Sequence, residues 1–393
     1  MNKLFHSGYF KEIFRQLRVA GLVSAGVLML NNATSAFSIV FGLLDDFTSI
    51  PGGMQLALPL MEYAYIMGLV LTFIAFGWMN KRSAADFYHC IPITRKQIYF
   101  SSVAAILLWM FIGMTAYAIV HALIYLVCGA PFNYLLYLGV YLTMLIGAVE
   151  VVGATAIACS ISGTRFVNLI AAVVILFIPR FLLTVMSGFV MIKDSTIVSA
   201  FITPLFDPNY NVIATPYSIF TSDLLKVSVT FGNPLAMLWN LVYALILIVL
   251  GAVAFQKRKS EMAGVPTGRG FQAVIRTAVG VPLLLVLDLI VIGRDSSRIF
   301  DFGSAADLVL PMVVLLILSF VFYSLYELIS TKSAKKMVKA MPLFVICLAI
   351  GALYLVLPGL ICKAENSIKL DASNIKSYSV YSEQGDGLLE SLL

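Results

Sequence analysis

Charge is what this sequence has least of. Asp, Glu, Lys and Arg make up 12% of the residues while 61% are hydrophobic, more apolar side chain than a soluble domain of this length can hide from water. Cysteine is sparse too: Cys90, Cys128, Cys159, Cys347 and Cys362 form no close pair. The spacing offers neither a disulfide framework nor a metal-ligand set, and packing is the expected role. Also missing are the GxxxxGK[ST] nucleotide loop, HExxH and GxSxG, so the chain carries no motif for nucleotide hydrolysis, zinc-assisted peptide hydrolysis or a serine nucleophile. The net charge is +6, but the basic residues are scattered through short loops instead of forming one patch, which argues against nucleic acid as a partner. An integral membrane protein is what remains.

The long apolar runs agree with that class. Crossing a bilayer takes about 20 mostly apolar residues. Stretches that qualify lie near residues 19–43, 56–79, 102–128, 134–160, 166–190, 234–255, 274–293, 306–329 and 341–362. The expected fold is an all-α polytopic membrane protein with about nine spans. In the first span Asn31, Asn32, Thr34 and Ser35 interrupt the apolar run and should face other helices. With the N-terminus in the cytosol, the cytosolic segments hold 18 of the 26 Lys and Arg residues and the outer segments 7. Basic loops are retained inside, so this alternation predicts a cytosolic N-terminus and an extracytoplasmic C-terminus in the cell membrane.

The remaining pieces divide the chain further. Residues 1–18 are too polar to span but two-faced: Phe5, Tyr9, Phe10, Ile13, Phe14 and Leu17 share one side, and Lys11, Arg15 and Arg18 the other. An interfacial helix lying nearly parallel to the bilayer is expected, turning sharply before Val19. A signal peptide fits less well, because the apolar segment after Arg18 is too long and no small-residue cleavage site follows. Residues 19–255 form a six-span core containing a polar loop at 81–99 and a folded outer cap at 191–232. A basic cytosolic loop covers 256–273, three more spans 274–362, and a short outer tail 363–393. Around Ile375, Tyr378, Val380 and Tyr381 the tail alternates polar and apolar residues as one or two strands would. It either docks on the outer loops or begins an outer domain.

Residues 81–99 are the most informative stretch. Ser83 followed by Asp86 fits a helix start, Thr94 followed by Gln97 fits a capping box, and Pro92 separates the two. A two-turn exposed helix, a break and a second helix are predicted, with Lys81, Arg82, Arg95 and Lys96 marking the cytosolic face. Charges inside spans are functional candidates by default, since each costs a few kcal/mol at the bilayer centre. Glu62 and Asp288 fall near the outer surface, as hydrated helix ends or as substrate contacts. His121 sits among aliphatic residues, where a hydrogen-bonded packing histidine is expected. Glu150 and Arg180 lie on consecutive spans at levels about 10 Å apart by helical rise. They form either an interhelical ion pair or part of a transport path, and Arg180 should meet Glu150 or an aqueous cavity, not lipid.

The N-terminal interfacial helix, the second span ending in KRSAADFYHCIPITRKQIY and the later span ending in FQKRKSEMAG resemble the permease subunits of ABC-2-type transporters of Gram-positive bacteria. The resemblance covers the chain well through the sixth span and more loosely beyond it. It implies a transport subunit and not an enzyme: a separate cytosolic ABC ATPase holds ATP and Mg, and a second permease, identical or related, completes the complex within membrane lipid. It also implies that the loop carries a coupling helix, with Asp86, Phe87, Tyr88, His89, Ile91 and Pro92 as the ATPase contact and Arg82 and Arg95 at its edges. The expected activity is export of an amphipathic substrate such as a peptide antibiotic or lipid. Two other classes fit the residues less completely. An ion-coupled secondary transporter would use Glu150, Arg180 or Asp288, and an intramembrane enzyme would need His121 and Glu150 together.

Overall fold

The computed structural model describes residues 5–40, 52–129, 133–192, 234–264, 268–294 and 305–366, which are all-helical. In order these are α1 (Ser7–Gln16), α2 (Arg18–Val40), α3 (Gly52–Phe76), α4 (Arg82–Cys90), α5 (Arg95–Val127), α6 (Tyr134–Ile161), α7 (Arg165–Ile192), α8 (Pro234–Lys257), α9 (Arg269–Arg294), α10 (Ala305–Thr331), α11 (Ala334–Ala340) and α12 (Val345–Asn366). Single 3-10 turns occupy Gly77–Asn80, Ser260–Met262 and Met341–Phe344. The expected outer cap and the strands of the tail lie outside the described residues.

Seven of the described helices are long and apolar enough to cross a membrane, or eight if α1 and α2 count as one bent span. These seven match seven of the nine expected spans one for one, so the chain is a multi-pass helical membrane protein. The other two lie partly outside the described residues. The expected first span corresponds to α2, of which Arg18–Thr34 is apolar enough to cross when taken together with α1. The expected fifth is α7, whose described apolar stretch is the shorter Arg165–Ile178. Within α2 the polar residues do not all turn inward. Asn32 is buried and donates to the Tyr117 carbonyl at 3.3 Å, whereas Thr34, two residues on and across the helix, is exposed and bonds back to the Asn31 carbonyl at 2.8 Å.

Chain direction changes by 54° between α1 and α2, at Leu17, as the amphipathic pattern predicts. The apolar side of α1 is taken up by protein. Tyr9, Ile13 and Leu17 are buried, Phe14 stacks on Trp109 of α5 with ring centroids 4.7 Å apart, and the Trp109 indole donates to the Phe14 carbonyl at 3.0 Å.

Packing divides the helices into two groups. The larger core joins α1–α6 and α8; α6 is its centre, packed on both α3 and α8. Small residues permit this. A Cβ on Gly68 of α3 would come within 2.7 Å of Val151, and one on Gly153 within 2.9 Å of Leu247 of α8, so both contacts depend on glycine, as close helix pairs in membranes do. A smaller core joins α9, α10 and α12 around Leu285, Tyr323, Phe344 and Cys347. The bridge between the two is α7: its Val167, Ala171 and Ala172 pack with Ala158 of α6, Ile275 of α9 and Tyr326 of α10.

Candidate functional site

The polar loop folds as a platform on one end of the larger group. After α3 the chain makes the 3-10 turn Gly77–Asn80 and then α4. The predicted Ser83 start is corrected: the N-cap is Lys81, in extended conformation with no side-chain cap bond. Its N–H is held by the Trp78 carbonyl at 3.2 Å, so the preceding turn, and not a serine hydroxyl, sets where α4 begins. The other boundary follows the sequence. Ile91 is extended before Pro92, and Thr94 and Gln97 form a full capping box at the start of α5.

The proposed contact residues divide between two sides. Arg82, Asp86, Phe87 and Pro92 are exposed, Phe87 at 66%, which is unusual for a large aromatic ring. Tyr88 faces inward and stacks on Trp78 at 4.5 Å. Trp78 and Tyr99 in turn meet Phe255 edge-on or tilted at 6.1 and 5.7 Å. Ile91 is half-buried, and the His89 side chain lies outside the described residues. Arg95, expected at the edge of a contact surface, is half-buried and donates to the carbonyls of Gln256 and Arg258 at 3.0 and 2.5 Å.

Under this platform lies a residue that reads in the sequence as one more topogenic cation. Arg258, just past α8, is 4% exposed. Its guanidinium donates to the carbonyls of Cys159, Ser160 and Ser162 at 2.5, 3.2 and 2.5 Å, and to that of Met79 at 2.8 Å. Cys159 and Ser160 belong to the last turn of α6, whose carbonyls lack intrahelical partners and carry the negative end of the helix dipole. The planar fork of Arg can satisfy several such acceptors at once. Burial pulls its pKa down to about 10, so it stays charged at neutral pH. Beside it, the Asn168 amide donates to Asn80 Oδ1 at 3.1 Å, and Ser162 Oγ meets Asn168 Oδ1. The root of α4 and the ends of α6 and α8 are thus joined through one side chain, with α7 added through Asn168. Two segments far from Arg258 in sequence supply these acceptors, so no local motif could have revealed the arrangement.

The candidates within spans have varied surroundings. Glu62 is exposed and lies ten residues into α3. Asp288 is not hydrated: it is 3% exposed, lies against Gly351 of α12, and its Oδ2 has no hydrogen-bond partner among the described residues. His121 is fully buried between Tyr125 and Tyr137, ring centroids 4.7 and 5.9 Å away, with Tyr137 Oη 3.4 Å from Nδ1; this is the packing environment expected. Glu150 is buried and lies 13 residues beyond Tyr137, about 20 Å along α6, so it and His121 are not brought together. The Arg180 side chain lies outside the described residues. Cys159 and Cys347 are buried as expected of packing residues, whereas Cys90 and Cys128 are exposed.

A second buried charged cluster was missed. Arg276 of α9 and Glu327 of α10 pair at 3.3 Å with side chains 7% and 8% exposed. Gln272 Nε2 donates to Glu327 Oε2 at 3.0 Å and to Ser330 Oγ at 2.6 Å, and the Arg276 guanidinium lies 5.1 Å over the Tyr323 ring. The sequence count assigned Arg276 to a cytosolic loop, but α9 begins at Arg269 and places it two turns inside a helix.

No protein-family model matches the chain, and no curated protein or solved structure does either.

Proposed function

We propose that the chain is the membrane-spanning permease subunit of an ATP-driven exporter, with α4 as the helix through which a cytosolic ATPase acts. The observation that carries this reading is the contrast between neighbours on α4: Phe87 is offered to solvent while Tyr88 clamps the helix to Trp78. A loop that only fixed topology would need its positive charge and no exposed aromatic. Under this reading ATP and Mg are bound by the partner ATPase, a second permease completes the assembly, and α4 faces the cytosol. Closure of the ATPases pushes α4. Arg258 passes the displacement to the ends of α6 and α8, and Arg95 ties it to α5. The cargo is an amphipathic molecule such as a peptide or lipid.

The test is co-purification with a candidate cytosolic ABC ATPase. Phe87→Ala is expected to weaken that association by about 2 kcal/mol, as loss of an aromatic anchor does, without lowering the melting temperature of the subunit. Tyr88→Ala is expected to lower the melting temperature as well, because the ring packs within the chain. Undiminished ATPase binding in Phe87→Ala would reject the coupling role of α4.

Ion-coupled transport is the second reading, favoured by the buried Asp288. Transport that persists without ATP and collapses with the proton gradient would replace the first reading with this one.

A further inference from the structure

Helices α2 and α3 touch lightly and leave between them a groove of about 350 Å³, within the size range of small-molecule sites. The two helices run in opposite directions, so their polar residues meet at one end. Asn31 comes from the middle of α2, and Glu62 lies ten residues into α3, one turn past Pro59. From there the walls are apolar, formed by Val23 and Val27 on one side and Ile66 and Val70 on the other. Ser24 Oγ and Tyr63 Oη, 3.3 Å apart, lie near the middle. The polar end is the one remote from α4. No Lys, Arg or His lines the groove, yet its polar end holds an exposed carboxylate ten residues inside the apolar helix α3, where an uncompensated charge is costly.

Charge complementarity identifies the occupant. We propose that the groove binds a single-chain amphiphile with a positively charged amine head, its ammonium against Glu62 and its chain laid between α2 and α3. A neutral chain would leave the carboxylate without a counter-charge, an anionic head would be repelled, and the volume suits one chain better than two. In the orientation proposed above, the head sits at the outer leaflet, from which such a molecule enters sideways. The inference does not depend on the ATPase, because binding is read without nucleotide.

The experiment uses the full chain in phosphatidylcholine nanodiscs, a photoreactive dodecylammonium probe, and dodecylammonium, dodecanol and dodecyl sulfate as competitors. Labelling is expected to saturate and to map to peptides of α2 and α3. Dodecylammonium is expected to compete about tenfold better than dodecanol, the discrimination of a charge-assisted contact. Glu62→Gln should erase that preference while leaving the melting temperature unchanged, since the side chain is exposed. Ile66→Trp and, separately, Val23→Trp fill the groove from its two walls and should suppress labelling; both positions are 60% exposed or more, so neither disturbs the core. The proposal is overturned if all three competitors act alike, if Glu62→Gln keeps the ammonium preference, or if labelling survives both tryptophan variants. Those are the results of an ordinary lipid annulus.

Discussion

A guanidinium and a carboxylate that are each almost entirely buried cannot be removed one at a time without consequence. Arg276 and Glu327 hold each other at 3.3 Å, and Gln272, Ser330 and the Tyr323 ring share their charges. Replacing one partner strands the other in a low-dielectric site, at about 3–5 kcal/mol, whereas replacing both by apolar side chains of similar size is often nearly neutral. Arg276→Met and Glu327→Leu are therefore each expected to unfold well before wild type in a detergent titration, and the double variant to recover most of the loss. Additive losses would mean that the two charges are independently solvated. The pair was legible in principle: Gln272 and Arg276 are four apart on α9, and Tyr323, Tyr326, Glu327 and Ser330 repeat at helical spacing on α10. It was missed because the apolar count started the span at residue 274 and so left Arg276 at its rim. Phe87 and Tyr88 illustrate a different limit. Both are aromatic and adjacent, and only the position of Trp78 decides which one is exposed.

Among the helices, what could be read locally agrees with the structure. The Thr94–Gln97 box, the Pro92 break and the two-faced pattern of α1 each depend on residues within a turn or two of one another, and each appears as the spacing predicts. Nonlocal contacts were invisible. Arg258 reaches the Met79 carbonyl 179 positions away and that of Cys159 at 99 positions, and nothing in FQKRKSEMAG distinguishes it from its basic neighbours Lys257 and Lys259, both exposed. Its replacement tests whether α4, α6 and α8 are one mechanical unit. Arg258→Met leaves several buried carbonyls without donors, at about 1–3 kcal/mol each. It should lower the melting temperature and speed tryptic cleavage after Lys81 and Arg82 as α4 loosens. Arg258→Lys keeps the charge but not the fork and should fall between. If cleavage at those two bonds is unchanged in both variants, Arg258 does not hold the root of α4.

For the molecule as a whole, the division into a larger helix group and a smaller one joined through α7 was not legible, because it depends on which lipid-competent faces find protein and which do not. Hydropathy cannot separate the two cases: Val313, Ile317 and Phe322 of α10 are exposed, while Leu71, Ile106 and Val152 in the larger group are buried, and all are equally apolar. Orientation is the property of the whole molecule on which the ATPase reading depends, and two native cysteines report it. Helix α5 has 33 residues, about 50 Å of rise against a hydrocarbon core of about 30 Å, so its ends reach both interfaces. Cys90, at the end of α4, lies five residues before it, and Cys128 caps its far end; both are exposed. An impermeant maleimide applied to intact cells should modify the peptide containing Cys128 and spare that containing Cys90, and permeabilisation should make Cys90 reactive. Reading the label by peptide keeps Cys362 from confusing the result. Cys159 and Cys347 are buried and should stay unlabelled until the protein unfolds. If Cys90 reacts from outside and Cys128 does not, α4 faces away from cellular ATP, and no cytosolic ATPase can act through it.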